Sequence, residues 1–360
     1  MIMFWDIFSS VLFLLTGIGV LLVGVIKLSN VLQSGSSERI ASMFVKMGNN
    51  RLVGFGVGTA ATTVIQSSTA TTVIVVSLVN AGIVTFAQST AIIFGANVGT
   101  AVSSILLSLS ALPIKYVFMS LVFFGAFIKF FSKKEKIRLN KAADIMISFG
   151  TVFVGLEIMS LAFSDALNGG YYLTNAFSSI LESVTFPLLL IIIGFLLTAI
   201  IQSSTAAIGI FIALAANNLL FFNSIMYLVI GTLLGTTLTT LIASIPANKN
   251  AKRTALTHLL FAVMATLLFL PILWPLESIF VPAFEYLIPD PVWQVSVFSL
   301  IIKLATAIIL LPLIKPMNKL IFLVIRDKPL TEEQQQEAEA EEAELAKKQQ
   351  DSFQGFTDQF

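Results

Sequence analysis

Two short stretches of this chain hold the residues that could do chemistry. The first reads Thr62-Thr63-Val64-Ile65-Gln66-Ser67-Ser68-Thr69-Ala70-Thr71-Thr72. The second reads Thr198-Ala199-Ile200-Ile201-Gln202-Ser203-Ser204-Thr205-Ala206-Ala207, 136 residues further on. As donors, Ser67, Ser68, Thr69, Ser203, Ser204 and Thr205 can hold an oxyanion. As hard oxygen acceptors, hydroxyls and carboxamides suit a small cation such as Na+. Nucleophilic catalysis is disfavoured, because a serine nucleophile needs an adjacent base and neither surrounding stretch contains His, Lys, Asp or Glu. The same offset carries Gly95-Ala96-Asn97-Val98-Gly99-Thr100 onto Gly231-Thr232-Leu233-Leu234-Gly235-Thr236, and Gly58 onto Gly194. Three landmarks at one spacing mark an internal repeat.

Charge placement sharpens the reading. From Leu52 to Ile114, and again from Ser183 to Asn248, no side chain is charged. Neither stretch can neutralise a divalent anion, and an uncompensated charge in a low-dielectric site is very costly. The compensation must then arrive with the anion, as co-bound cations, which predicts a sodium-coupled anion symporter. Serine and threonine also glue membrane helices together, and glycine pairs permit close packing. Packing is the main expectation for Gly54-x-Gly56-x-Gly58 and Gly95-xxx-Gly99. Three other polar residues stand out. Glu157 lies within a span, where a carboxylate is functional by default or has a structural partner. Lys303 lies within the last span and either pairs with Glu157 or snorkels. His258, shortly after the basic residues 249–253, reads as an interfacial or hydrogen-bonded histidine.

The elements that must position these residues follow from composition. The chain is 56% hydrophobic and 11% charged, with mean hydropathy +0.92; soluble domains carry roughly 25% charged residues. Lipid is therefore its solvent. With no Cys and one His, disulfides, thiolate or histidine metal sites and a Ser-His-Asp triad are disfavoured. The N-terminal apolar run, opening on Trp5 and Asp6, reads as a retained span. Spans are expected at 7–29, 86–109, 113–131, 142–163, 224–245, 254–273 and 294–314, with those at 86–109 and 224–245 broken. Each uncharged stretch also holds a re-entrant helical hairpin, at 52–80 and 184–218. Lys- and Arg-rich loops stay in the cytoplasm, which puts 39–51, 133–141, 249–253 and 315–328 inside and the acidic loops 164–182 and 275–293 outside. Three spans per copy then invert the second copy, as in many secondary transporters. The fold class is an all-α integral membrane protein. Residues 1–136 form a first inverted-topology repeat and 137–273 a second, followed by an outer loop and last span (274–330). Residues 331–360 form an acidic, solvated tail. The N-terminus is expected outside and the tail in the cytoplasm. At the tips, free N–H groups of the second half-helices would add an anion site, and two facing tips near the midplane could surround a tetrahedral oxyanion.

The paired Gln-Ser-Ser-Thr motifs, Gly95-Ala96-Asn97-Val98-Gly99-Thr100 and Ala255-x-x-His258-x-x-Phe261 resemble the type II sodium/phosphate cotransporter family over roughly residues 10–273. The resemblance implies inorganic phosphate as substrate, Na+ as coupling ion, two opposed hairpins, an elevator-like or rocking transition and frequent homodimers. It assigns phosphate to Gln66, Ser67, Ser68, Thr69, Gln202, Ser203, Ser204 and Thr205. It assigns supporting or sodium roles to Thr62, Gln66, Asn97, Thr100, Thr198, Gln202, Thr236 and Thr237. No organic cofactor, nucleic acid or enzymatic step is implied. The chain departs from the family at Leu233 and Leu234, where the second copy loses its Asn, at Ala262 in place of the usual Asn, and at Leu121 and Phe124, where animal members that move net charge have a carboxylate and Asn. One sodium site is then missing or rebuilt. The large glycosylated, disulfide-bonded outer loop of animal members is absent, as are sequons and Cys, which points to a bacterial inner-membrane protein. A phosphate exporter, or a carrier of arsenate or sulfate on the same scaffold, is the alternative.

Overall fold

The computed structural model describes residues 2–34, 36–46, 50–133, 135–164, 169–184 and 186–326. The tail from Thr331 and Asp165 of the acidic loop lie outside them. Among the described residues the regular structure is helical, without strands. In chain order the helices are α1 (Ile2–Ser34), α2 (Ser37–Lys46), α3 (Arg51–Ile65), α4 (Ser68–Asn80), α5 (Phe86–Ser108), α6 (Lys115–Phe131), α7 (Ile137–Ala162), α8 (Gly170–Ser183), α9 (Pro187–Ile201), α10 (Ser204–Ala216), α11 (Phe222–Ser244), α12 (Lys249–Leu273), α13 (Glu277–Leu287), α14 (Pro291–Leu310) and α15 (Ile314–Val324).

Six of these, α1, α5, α7, α11, α12 and α14, are long and apolar enough to cross a membrane. The span expected at 113–131 is α6, whose 17 residues stand at the lower limit for crossing. The two predicted hairpins are the pairs α3–α4 and α9–α10. Their arms of 15 and 13 residues reach only about 20–22 Å at 1.5 Å per residue, short of the roughly 30 Å hydrocarbon core. Asn50 starts α3 by accepting from Leu52 N and Val53 N, and Pro187 opens α9, the helix position where a missing N–H costs nothing. Helices α3, α4 and α5 recur as α9, α10 and α11 at the 136-residue offset with the same bounds.

The expected breaks at 86–109 and 224–245 are absent. Helices α5 and α11 are each continuous over 23 residues. The glycines serve close approach instead. A Cβ on Gly95 would run into the Phe55 carbonyl and one on Gly231 into the Ile191 carbonyl. On the facing helices, Gly58 meets the Ile92 carbonyl and Gly194 the Leu228 carbonyl. Each contact has its counterpart 136 residues on. Gly56, between two glycines of the same motif, faces open space, with nothing within 4 Å of an added Cβ.

Helices α1 and α7 pack on one another through Gly17 against Met159, Gly24 against Val152 and Gly155 against Leu21. Helix α6 packs on α7 through Gly125 against Ala143 and Gly150 against Phe118. Its other face is a row of exposed phenylalanines, Phe123, Phe124, Phe127, Phe130 and Phe131, a surface suited to lipid. Helix α14 packs along α5, α10 and α11, with Phe298 buried against Phe222.

Two sets of polar contacts tie helix ends together. One joins the end of α4 and the start of α5 to the start of α12 and to α15: Asn248 N and Nδ2 donate to Asn80, Ser89 bonds Thr254, and Thr90 donates to Asn318. The other joins the ends of α5, α7 and α10 to α13 and the starts of α11 and α14: Ser108 donates to Val292 O, Asn217 to Ser160, and Tyr227 to Glu277.

Candidate functional site

Each hairpin turns on a Gln-Ser pair. Gln66 closes α3 in the left-handed region (φ 60°, ψ 24°) and Gln202 closes α9 at φ 58°, ψ 23°. Their N–H groups donate to Thr62 O and Thr198 O, both at 2.7 Å. A left-handed residue that satisfies a trailing carbonyl ends a helix; that Gln holds this conformation is uncommon for a non-glycine residue. Ser67 and Ser203 then return to extended backbone. Their Oγ atoms accept from Ala70 N and Ala206 N, each at 3.2 Å, which caps α4 and α10. The N–H groups of Ser68, Thr69, Ser204 and Thr205 precede the first intrahelical bonds and stand at the positive ends of two helix dipoles.

Both tips line one cavity of about 650 Å3. All eight motif residues, Gln66 to Thr69 and Gln202 to Thr205, contribute to its wall, and Ser68 and Ser204 are buried there. The cavity runs past Ser29, Asn30 and Gln33 of α1 and Ser77 of α4, with Asn30 and Ser77 exposed at its mouth. No charged side chain is among the described residues that line it.

The remaining candidates lie behind the tips rather than in the cavity wall. Thr62 and Thr198 are fully buried, and neither hydroxyl has a hydrogen-bond partner among the described residues. Gly99 packs on Thr62 Cβ and Gly235 on Thr198 Cβ, at 2.7 and 2.6 Å from where their own Cβ would stand. Leaving a buried hydroxyl unsatisfied costs about 1–3 kcal/mol. Two such hydroxyls stand at equivalent places, one turn before each tip. Asn97 Nδ2 donates to Ile93 O, Thr100 Oγ1 to Asn97 O, Thr236 Oγ1 to Leu233 O and Thr237 Oγ1 to Leu234 O. These four are buried in α5 and α11.

Three expectations about isolated polar residues need correction or sharpening. Glu157 pairs with Lys115 at 2.7 Å, not with Lys303, because Lys115 opens α6, which lies against α7. Lys303 does not snorkel either. It is 2% exposed, and Nζ donates to Thr100 Oγ1 at 3.1 Å. His258 is fully buried between Thr240 Oγ1, 3.0 Å from Nδ1, and Asn97 Oδ1, 3.2 Å from Nε2; it is hydrogen-bonded and not interfacial.

Sequence reasoning missed two hydroxyls at the site. Thr239 lines the main cavity. Ser103 lines a small one of about 30 Å3 with Gln66 and Thr205, and its Oγ is unpartnered. They are equivalent positions at the 136-residue offset, which was the available signal. The polar end of α1 was also missed, because Asn30 and Gln33 read as residues beyond the span that ends at 29.

Comparison with known proteins places these features. The family model described as Na+/Pi-cotransporter matches residues 20–161 and 170–274. The chain is 28% identical over 320 residues to "Uncharacterized protein YqeW" of Bacillus subtilis, covering 88% of this chain and 96% of that one. It is 27% identical over 300 residues to "Putative inorganic phosphate export protein YjbB" of Escherichia coli K12, covering 81% of this chain and 51% of that one. It thus spans about half the length of the latter. The same identity is found over 296 residues to the protein of that name in Salmonella typhimurium. No solved structure matches the chain significantly.

Proposed function

This chain belongs to the Na+/Pi-cotransporter family, and from that premise we propose that it carries inorganic phosphate across a membrane with Na+ as coupling ion, by alternating access. The family is one of transporters, not enzymes. The observation that carries the reading is the shared cavity: two helix N-termini and the six hydroxyl-bearing residues of the tips converge on it with no Lys or Arg in its described wall. Phosphate would sit between the tips, held by the hydroxyls of Ser67, Ser68, Thr69, Ser203, Ser204 and Thr205 and by the N–H groups at the heads of α4 and α10. Its negative charge needs a counter-ion, and the unpartnered hydroxyls of Thr62 and Thr198, with the carboxamides of Gln66 and Gln202, are oxygen ligands for Na+. In this reading Asn97, Thr100, Thr236 and Thr237 support those ligands from α5 and α11.

The two sets of polar contacts support inverted repeats. The first gathers the end of hairpin α3–α4 and the start of α5 with the basic starts of α12 and α15. The second gathers the end of α10 and the start of α11 with acidic Glu277 of α13. Basic loops remain in the cytoplasm, so the first hairpin would enter from inside and the second from outside, with the N-terminus outside and the tail within a bacterial inner membrane. The cavity mouth at Asn30 and Ser77 would then face the cytoplasm. Export is the second reading, favoured by the printed name of the YjbB relatives. The test is uptake of radiolabelled phosphate by the purified protein in liposomes, with Na+ or choline outside. Uptake is expected in Na+ alone, and Ser68→Ala or Ser204→Ala is expected to lower it about tenfold or more, a loss of roughly 1.4 kcal/mol. Equal uptake in choline would overturn sodium coupling. Faster efflux than uptake under mirrored gradients would favour the exporter.

A further inference from the structure

Lys303 carries a charge that the cavity wall lacks. It projects from α14, outside both repeats, and is buried with Nζ on Thr100 Oγ1 at 3.1 Å. Thr100 spends its own proton on Asn97 O at 2.6 Å, so it turns a lone pair to the lysine. No carboxylate pairs with this nitrogen: the ion pairs among the described residues are Lys115–Glu157 and Lys129–Asp144.

Two further hydroxyls flank the contact. Ser299 lies four residues before Lys303 on the same face of α14, and Ser103 lies three residues after Thr100 on α5. Both are buried and without a hydrogen-bond partner among the described residues, and Ser103 shares its small cavity with Gln66 and Thr205 of the two tips. A buried cation among hydroxyl oxygens, next to the tips, is the chemistry of a small-cation site whose occupant is covalently attached. The second copy repeats the hydroxyls, with Thr236 and Thr239 for Thr100 and Ser103, and Thr236 Oγ1 donates to Leu233 O as Thr100 Oγ1 does to Asn97 O. The lysine contact, among the described residues, is made at Thr100 alone.

We infer that Lys303 is a tethered cation that takes the place of one coupling Na+ at Thr100. The carrier then needs one fewer Na+ per phosphate than two equivalent sites would take, and its two halves differ in function. The inference rests on the sodium-coupled reading above.

The experiment compares full-length wild type with Lys303→Ala, Lys303→Gln and Lys303→Arg. In liposomes, the Na+ to phosphate flux ratio and the Na+ Hill coefficient are expected to rise by about one in the Ala and Gln variants and to stay at the wild-type value in Arg. In detergent without phosphate, Ala and Gln are expected to gain a rise in Tm in Na+ over choline beyond that of wild type, because a newly vacant site binds the ion in the folded state only. A merely structural lysine would lower Tm in both salts and leave the ratio alone; that result overturns the inference. If the Ala variant does not fold, Gln, which keeps volume and an oxygen, decides. If wild type moves no phosphate, the transport reading fails, and the salt-specific Tm comparison still decides the lysine.

Discussion

At the scale of single residues, the two tips are one device built twice, and their parts separate by substitution. Thr62 and Thr198 hold buried hydroxyls without partners. Replacing an unsatisfied polar group by an apolar isostere is neutral or stabilising. Thr62→Val and Thr198→Val are therefore expected to leave Tm in choline unchanged or raised by a few degrees while abolishing Na+-dependent transport. A marked loss of Tm in choline would mean that the hydroxyl already has a protein partner. Gln66 sits in the left-handed region, where glycine is free of strain. Gln66→Gly is thus expected to preserve the fold and lose transport, measured by melting and uptake on one preparation. At this scale the motif was legible because polar residues are conspicuous in an apolar chain. Lys303 and Ser103 were not, because their meaning depends on which helices meet. A lysine in a span reads as a partner for the nearest carboxylate in composition, yet α6 brings Lys115 to Glu157 first.

At the scale of elements, the glycines decide how closely the first arm of each hairpin approaches the long helix beside it. Gly58, Gly95, Gly194 and Gly231 admit no Cβ without moving a facing carbonyl, so alanine at any of them is expected to cost about 1–3 kcal/mol, the range for overpacking. Gly56 has open space, and Gly56→Ala is expected to stabilise by about 0.5–1 kcal/mol through helix propensity. Melting curves of the alanine variants check both signs. The hairpin arms were readable from the uncharged stretches and the Gln-Ser pair, and the predicted bounds of 52–80 and 184–218 fall within a few residues of the helix ends. The continuity of α5 and α11 was not, because a glycine that breaks a helix and one that lets a neighbour approach leave the same mark in sequence.

At the scale of the whole molecule, six helices long and apolar enough to cross a membrane, the shorter α6 and two short hairpins surround a cavity lined by hydroxyls, with no charged side chain among its described residues, between the two tips and the end of α1. The proposed inversion is tested by cysteine labelling, which starts from a chain with no Cys. Lys249→Cys is expected to react only from the cytoplasmic side and Glu285→Cys only from outside; reaction of both from one side would contradict the orientation. The central claim is that phosphate enters this cavity only with Na+ beside it. Its most direct test is equilibrium binding of radiolabelled phosphate to the purified protein, in Na+ and in choline at equal ionic strength. Saturable binding in Na+ that weakens at least about tenfold in choline, a difference of roughly 1.4 kcal/mol, is the expected result. The same affinity in both salts would contradict the account.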